Sequence, residues 1–261
     1  VDGKDYTTKT DENGKWQITG LTGETKIEVK DQAGFEASTK TVTKAIDNLK
    51  FRPKNVNKAE PLVAQNGGGP VSYYGQLEAN GNRIYGSKTG SVAQVRGLSL
   101  FWSNTGWGQE KWWTADTVDM LVNEWKIEII RAAMGVEDGG GFLEDPSNKQ
   151  RLETVVQAAI ANDIYVVIDW HSHHADRHVQ EAKAFFAEMA KKYGQYDNVI
   201  FEIWNEPKQV SWATIKGYAQ QVIPAIRQHS DNLIVVGTPT WSQGVDQASY
   251  DPLNDSNVAY A

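Results

Sequence analysis

Beyond residue 71, short apolar runs and amphipathic stretches take turns along the chain. Strands are expected at 92–99, 126–133, 164–171, 199–206 and 233–238, with a further one starting at Val258. Several are almost continuously apolar, as in Tyr165-Val166-Val167-Ile168, which is what a strand covered on both faces requires. Between them lie helical stretches at 148–162, 182–193 and 212–229. The first places Leu152, Val155, Val156, Ala159 and Ile160 at helical spacing. Strand then helix, repeated, specifies a parallel α/β sheet, either doubly wound or closed as a (β/α)8 barrel.

The strand ends separate these two closures. The second expected strand ends in Arg131, the third in Asp169-Trp170-His171, the fourth in Trp204-Asn205-Glu206-Pro207, and the fifth runs into Thr238–Trp241 by number 238–241. Polar and aromatic groups delivered by successive strands at one end are the mark of a barrel. No glycine-rich phosphate loop follows the first strand, as a dinucleotide fold would need. The expected fold is a (β/α)8 TIM barrel, with about the first five to six strands in this chain, preceded by a small all-β module.

That module spans 1–58. Lys15-Trp16-Gln17-Ile18-Thr19 and Lys26-Ile27-Glu28-Val29-Lys30 alternate polar and apolar residues, with turn clusters at Asp11-Glu12-Asn13-Gly14 and Asp31-Gln32-Ala33-Gly34. The run resembles a bacterial immunoglobulin-like repeat, although it is short for a complete sandwich. A spacer role is expected. Residues 59–70, with Glu60-Pro61 and Gly67-Gly68-Gly69-Pro70, read as a linker, and 71–261 as the barrel domain.

Charge narrows the choice of partner. Residues 1–60 hold 11 basic and 10 acidic residues, leaving 15 basic and 23 acidic for the rest. Such an acidic domain is a poor fit to nucleic acid, which demands basic patches, and suits a neutral polymer. No stretch approaches the roughly 18 apolar residues of a membrane helix, and no signal peptide is visible. There are no cysteines, hence no thiolate metal site. Of ten tryptophans, Trp102, Trp107, Trp112 and Trp113 crowd together. They suit either a core cluster or platforms for the C–H faces of sugar rings.

Asn205-Glu206-Pro207 carries the clearest chemistry. Glycosidic cleavage needs one carboxylic acid to protonate the leaving oxygen and a second carboxylate opposite it. Asn205 beside the acid suits a hydrogen bond to a sugar 2-hydroxyl. In order along the chain stand "RAAM" (131–134), "VIDWHSHHA" (167–175), "FEIWNEP" (201–207) and "GTPTWSQ" (237–243). With "LSLFWSNTGWG" (98–108) and "RAAMGVEDGGGFLEDP" (131–146), this series resembles glycoside hydrolase family 5, in particular its bacterial endo-β-1,4-glucanases.

The resemblance implies that Glu206 is the general acid/base and Asn205 the 2-hydroxyl contact. Arg131 would lie near the nucleophile and keep it ionised, and His171 would line the cleavage subsite. Trp241 and Trp107 would stack on sugars, with Trp102 beside them. The chain departs from many relatives at Phe101-Trp102, where they have a histidine, and from some at Gly135, where they have an aromatic residue. The family nucleophile is a glutamate ending the seventh strand. It is expected beyond Ala261, in a C-terminal segment or a second chain that completes the barrel.

Other carboxylates read as structural. Glu202, four residues before Glu206, would face the same way roughly 13 Å deeper in a straight strand, as a paired interior group. Asp169 is given a similar role, and Glu137 and Asp138, in the loop after the second strand, are expected in solvent, with sugar hydroxyls as the alternative partner. His171, His173, His174 and His178 also suit zinc, but no second histidine group accompanies them. The expected activity is cofactor-free, extracellular, retaining hydrolysis of a β-1,4-linked glucan. Alternatives are a β-mannan or xyloglucan substrate, or a polysaccharide-binding protein without catalysis.

Overall fold

The structure, a computed structural model, describes residues 68–261 and the backbone of two strands upstream. The chain divides into two compact units, Val1–Lys58 and Ala59–Ala261. In the first, β1 (Thr25–Val29) pairs antiparallel with β2 (Ser38–Val42), Ile27 opposite Lys40. The second strand expected there matches β1 closely. The strand expected at 15–19, the linker up to residue 67 and the immunoglobulin-like reading lie outside the described residues.

The described part of the second unit holds, first, helix α1 (Pro70–Tyr74) and a hairpin of β3 (Leu77–Asn80) and β4 (Arg83–Gly86). Six strands follow: β5 (Gly97–Ser99), β6 (Ile129–Gly135), β7 (Tyr165–His171), β8 (Val199–Glu202), β9 (Ile234–Val236) and β10 (Val258–Tyr260). They form one parallel sheet whose spatial order is their sequence order. A doubly wound sheet reverses its strand order at a switch point, and a barrel wall does not. The observed order is that of a barrel wall.

Helices α2 (Ala115–Trp125), α3 (Ser147–Ala161), α4 (Val179–Tyr193) and α5 (Trp212–Arg227) connect the strands. Neither α2 nor the hairpin was among the expected elements. Yet α2 carries its own signals: the Thr114 hydroxyl accepts a hydrogen bond from Thr117 N at 3.2 Å, and Val118, Leu121 and Val122 line one face.

Because strand side chains alternate with period two, the sheet divides its residues between two cores. Val166, Ile168 and Trp170 of β7, with Ile130, Met134 and Phe201 of its neighbours, face the helices and meet Phe185 and Phe186 of α4. Tyr165, Val167, Ile200 and Val235 point the other way. They pack on Val71 and Leu77 from α1 and the hairpin, which floor the barrel. The Tyr165 hydroxyl donates to Gly75 O. Asp163 accepts from Gly69 N at 2.7 Å and Ser72 N at 3.1 Å, fixing α1 to the turn before β7.

Two boundaries matter for the site. Strand β6 continues to Gly135, so Arg131 is its third residue and not its end. Strand β8 stops at Glu202, and the chain turns before Glu206, whose φ is +32°. The straight-strand spacing between Glu202 and Glu206 therefore does not hold.

Candidate active site

Above the apolar floor the inward-facing positions become polar within one strand. Register places Ala133, Asp169, Glu202 and Val235 side by side on β6 to β9. Arg131, one inward position lower, reaches up to this row. Its Nε and Nη2 donate to the two oxygens of Glu202 at 2.6 and 2.8 Å, and Nη2 lies 2.8 Å from Asp169 Oδ2. Small Ala133, facing Asp169 in register, keeps the row from crowding.

One guanidinium thus serves two buried carboxylates. Burial pushes Asp169 up to about 7 against the pull of Arg131, and the Glu206 charge adds to the rise. Burial also pushes Glu202 up to about 7, helped by Asp169 and opposed by Arg131. Burial works against the charge on Arg131, but Asp169, Glu202 and Glu206 outweigh it, so its pKa is raised and it stays cationic. Glu202 is therefore a paired interior carboxylate, and Asp169 has a comparable place.

His171 is buried, with Nδ1 2.6 Å from Asp169 Oδ2. Burial and the nearby Arg131 lower its pKa to about 3, which keeps the ring neutral, with Nδ1–H donating to the carboxylate.

Arg131 also fixes Asn205. Its Nη2 donates to Asn205 Oδ1 at 2.8 Å, which settles the orientation of the amide. Asn205 Nδ2 is then turned away from the cation, and this buried donor has no protein partner. Beside it Glu206 stands exposed at the strand end. A positive φ at a non-glycine residue is strained and persists only where the surroundings enforce it.

Aromatic residues frame this end. Trp102, half-buried, meets His171 edge-on at 4.3 Å and stacks on Trp107 at 5.6 Å with 25° between the planes. Trp107 is 43% exposed and Trp241 41%, whereas Trp113 is 3% exposed and donates its Nε1 to Phe101 O. The tryptophan cluster therefore divides: Trp113 belongs to the core, and Trp107 offers a ring face at the surface. Trp112 is exposed too, under the Lys111 ammonium at 5.3 Å.

Gly135 also has a physical reason. A Cβ there would collide with Asn104 Oδ1, whose Nδ2 donates to Asp138 O and Gly139 O and shapes the loop after β6.

The structure brings Arg131, Asn205, Glu206, His171 and Trp102 together through direct contacts or electrostatic influence, with Trp107 stacked on Trp102. Trp241 joins through the backbone, its N–H donating to Pro207 O at 2.8 Å. Glu137 departs from expectation. It is half-buried, Oε1 accepts from His173 N at 3.1 Å, and Oε2 is buried without a partner. The histidine-rich loop was legible only as a possible ligand set. In the fold, the Nδ1 atoms of His171 and His173 face Asp169 and the Glu206 carbonyl. Among the described residues no group of three or more His, Asp or Glu side chains is arranged to hold a metal ion.

The sequence model described as Cellulase (glycosyl hydrolase family 5) matches residues 78–261. Endoglucanase Z of Dickeya dadantii is 60% identical over 188 residues, covering 70% of this chain and 43% of that protein. An endoglucanase of Clostridium saccharobutylicum is 40% identical over 199 residues, covering 73% and 43%. The catalytic domain of Thermobifida fusca endoglucanase Cel5A superposes with a TM-score of 0.68 at 35% identity, covering 74% of this chain and 66% of that one. The chain thus spans less than half the length of the curated relatives named here.

Proposed function

The chain belongs to glycosyl hydrolase family 5, and from that premise we propose that the intact protein is an endo-β-1,4-glucanase that cleaves with retention. That its relatives are endoglucanases supports the substrate class. The observation that carries the reading is the Arg131–Asn205–Glu206 arrangement. An exposed carboxyl group stands next to a buried amide whose only unsatisfied donor is fixed in direction.

In this reading a glucan chain lies across the strand ends, stacked on Trp107 and Trp241, with Trp102 backing Trp107 against His171. Asn205 Nδ2 donates to the 2-hydroxyl oxygen at the cleavage subsite. Glu206 gives its proton to the glycosidic oxygen as a second carboxylate attacks the anomeric carbon. The C–O bond breaks, and a glycosyl-enzyme ester forms. Glu206, now a carboxylate, takes a proton from water as that water attacks the anomeric carbon, which releases the sugar, frees the nucleophilic carboxylate and restores the protonated acid.

The nucleophile must lie about 5–5.5 Å from the acid. Glu202 and Asp169 are bound to Arg131, which leaves the nucleophile's role to a carboxylate other than these two. Arg131 then adds its charge beneath the attacking group. Action on a glucan polymer outside the cell follows from the same reading.

Reducing-end release by the intact enzyme on carboxymethylcellulose, mannan and xyloglucan tests the substrate. Glu206→Gln should lower turnover on the glucan about 10²–10⁴-fold. Unchanged turnover would remove Glu206 from the chemistry, and activity on mannan alone would refute the glucanase reading. Binding of glucan without any hydrolysis would favour a polysaccharide-binding protein instead.

A further inference from the structure

We infer that His173 is a positioning residue that latches the peptide of Glu206 in its strained conformation and so aims the acid; this rests on the acid/base reading of Glu206. The mechanism above makes no use of His173. Three consecutive carbonyls along the loop that carries the acid each accept a hydrogen bond from outside it. Lys208 O accepts from Thr240 N at 2.9 Å and Pro207 O from Trp241 N at 2.8 Å. Glu206 O faces His173 Nδ1 at 3.2 Å.

A carbonyl oxygen can only accept, so this contact requires the proton on Nδ1. The first two bonds come from the backbone of the turn after β9. The third comes from a side chain on the loop after β7, 33 residues away. It is the member of the set that a substitution can remove.

His173 is itself held. Its backbone N–H donates to Glu137 Oε1 at 3.1 Å, and its ring lies 5.6 Å from Trp102. The loop before it is closed by Ser172 N on Trp170 O and by His174 N on Ser172 Oγ, both at 2.9 Å. The imidazole thus arrives at the Glu206 carbonyl from a fixed loop, with an aromatic neighbour beside it.

The other end of the contact is the residue with φ +32°. A peptide at such an angle relaxes when its restraints are removed, and the side chain on that Cα swings with it. Small misplacements of a proton donor are costly in rate, up to about 10²-fold for 1 Å.

The test compares two substrates on the intact enzyme. A cello-oligosaccharide has a poor leaving group and needs the proton; dinitrophenyl β-cellobioside has a good one and does not. kcat/KM reports the first irreversible step, which for both substrates is bond cleavage. His173→Leu removes the donor. It should lower kcat/KM about tenfold on the oligosaccharide and leave the dinitrophenyl substrate within about twofold. His173→Asn places an amide N–H where Nδ1 stands and should recover most of the loss.

If His173→Leu does not fold, His173→Phe keeps the ring volume beside Trp102 without the donor, and the same selectivity is expected of it. Proportional losses on both substrates, no loss on either, or an Asn variant as impaired as the Leu variant would each overturn the inference. Glu206→Gln is measured alongside. Selective loss there without selective loss at His173 sinks the latch alone; no selectivity at Glu206 sinks the acid reading and the latch with it.

Discussion

Along β7, Val166, Ile168 and Trp170 turn outward beneath the helices, while Tyr165, Val167, Asp169 and His171 turn into the barrel. The outward residues are all fully buried, and their neighbours across the sheet are apolar from one end to the other. Inward, the strand changes character halfway: Tyr165 and Val167 sit on the floor, Asp169 and His171 in the charged row. Both faces share one backbone and one set of ladder hydrogen bonds. What differs is what holds them: dispersion and apolar burial outside, a cation shared between carboxylates inside.

The difference is broken most forcefully at Arg131. Arg131→Ala leaves Asp169 and Glu202 buried without their cation and should cost about 3–5 kcal/mol in urea denaturation, with activity lost as well. The cost should be smaller at pH 5 than at pH 8, since both carboxyl groups can take up protons. Stability equal to the parent at pH 8 would show that the inner row is not held by this cation.

A smaller effect follows from titration of the parent protein. Asp169 and Glu202 titrate near 7 in the folded state, against about 4 when unfolded. Between those values the folded state binds more protons, so their contribution to stability falls as pH rises from about 4 to 7. His171, lowered to about 3, acts in the opposite sense: its contribution grows as pH rises from about 3 to 6.5. With two groups against one, these residues make the net slope downward from about pH 5 to 7. Thermal melts across that range should show it, and Glu202→Gln should flatten it. An unaltered slope in that variant would remove Glu202 from the account.

The smallest effect is expected outside. Ile168→Val removes one methylene from the helix-facing core and should cost about 0.5–1.5 kcal/mol by thermal melting. Turnover of the intact enzyme at ambient temperature should not change. A loss of turnover in that variant would mean that the two faces are coupled more tightly than their separate packing implies.

The outer face was largely legible in the sequence. The run Tyr165–Ile168, by number 165–168, and the helical spacing in α3 both follow from periodicity, which depends only on local order. The hairpin was harder to read, because β3 and β4 are four residues each and offer almost no period. Motifs pointed to Asn205, Glu206, Arg131 and His171, but their mutual arrangement was not readable. Arg131 reaches Glu202 because β7 lies between β6 and β8 with a particular register, and register is a property of three strands together. His173 and Glu137 were seen only as a possible ligand and a solvated acid, since their roles depend on where two loops meet.

The alternation along β7 also limits how such a chain can change in length. Removing a single residue between Tyr165 and His171 would rotate every later side chain to the opposite face. A removal before Asp169 would put the aspartate under α4 and bring Trp170 into its place beside the arginine. The loops after β6 and β9 carry no such parity, because their ends are fixed by individual hydrogen bonds to the neighbouring loops. The rim is therefore where a change in chain length should be tolerated, reshaping the surroundings of the site and leaving the wall unaltered.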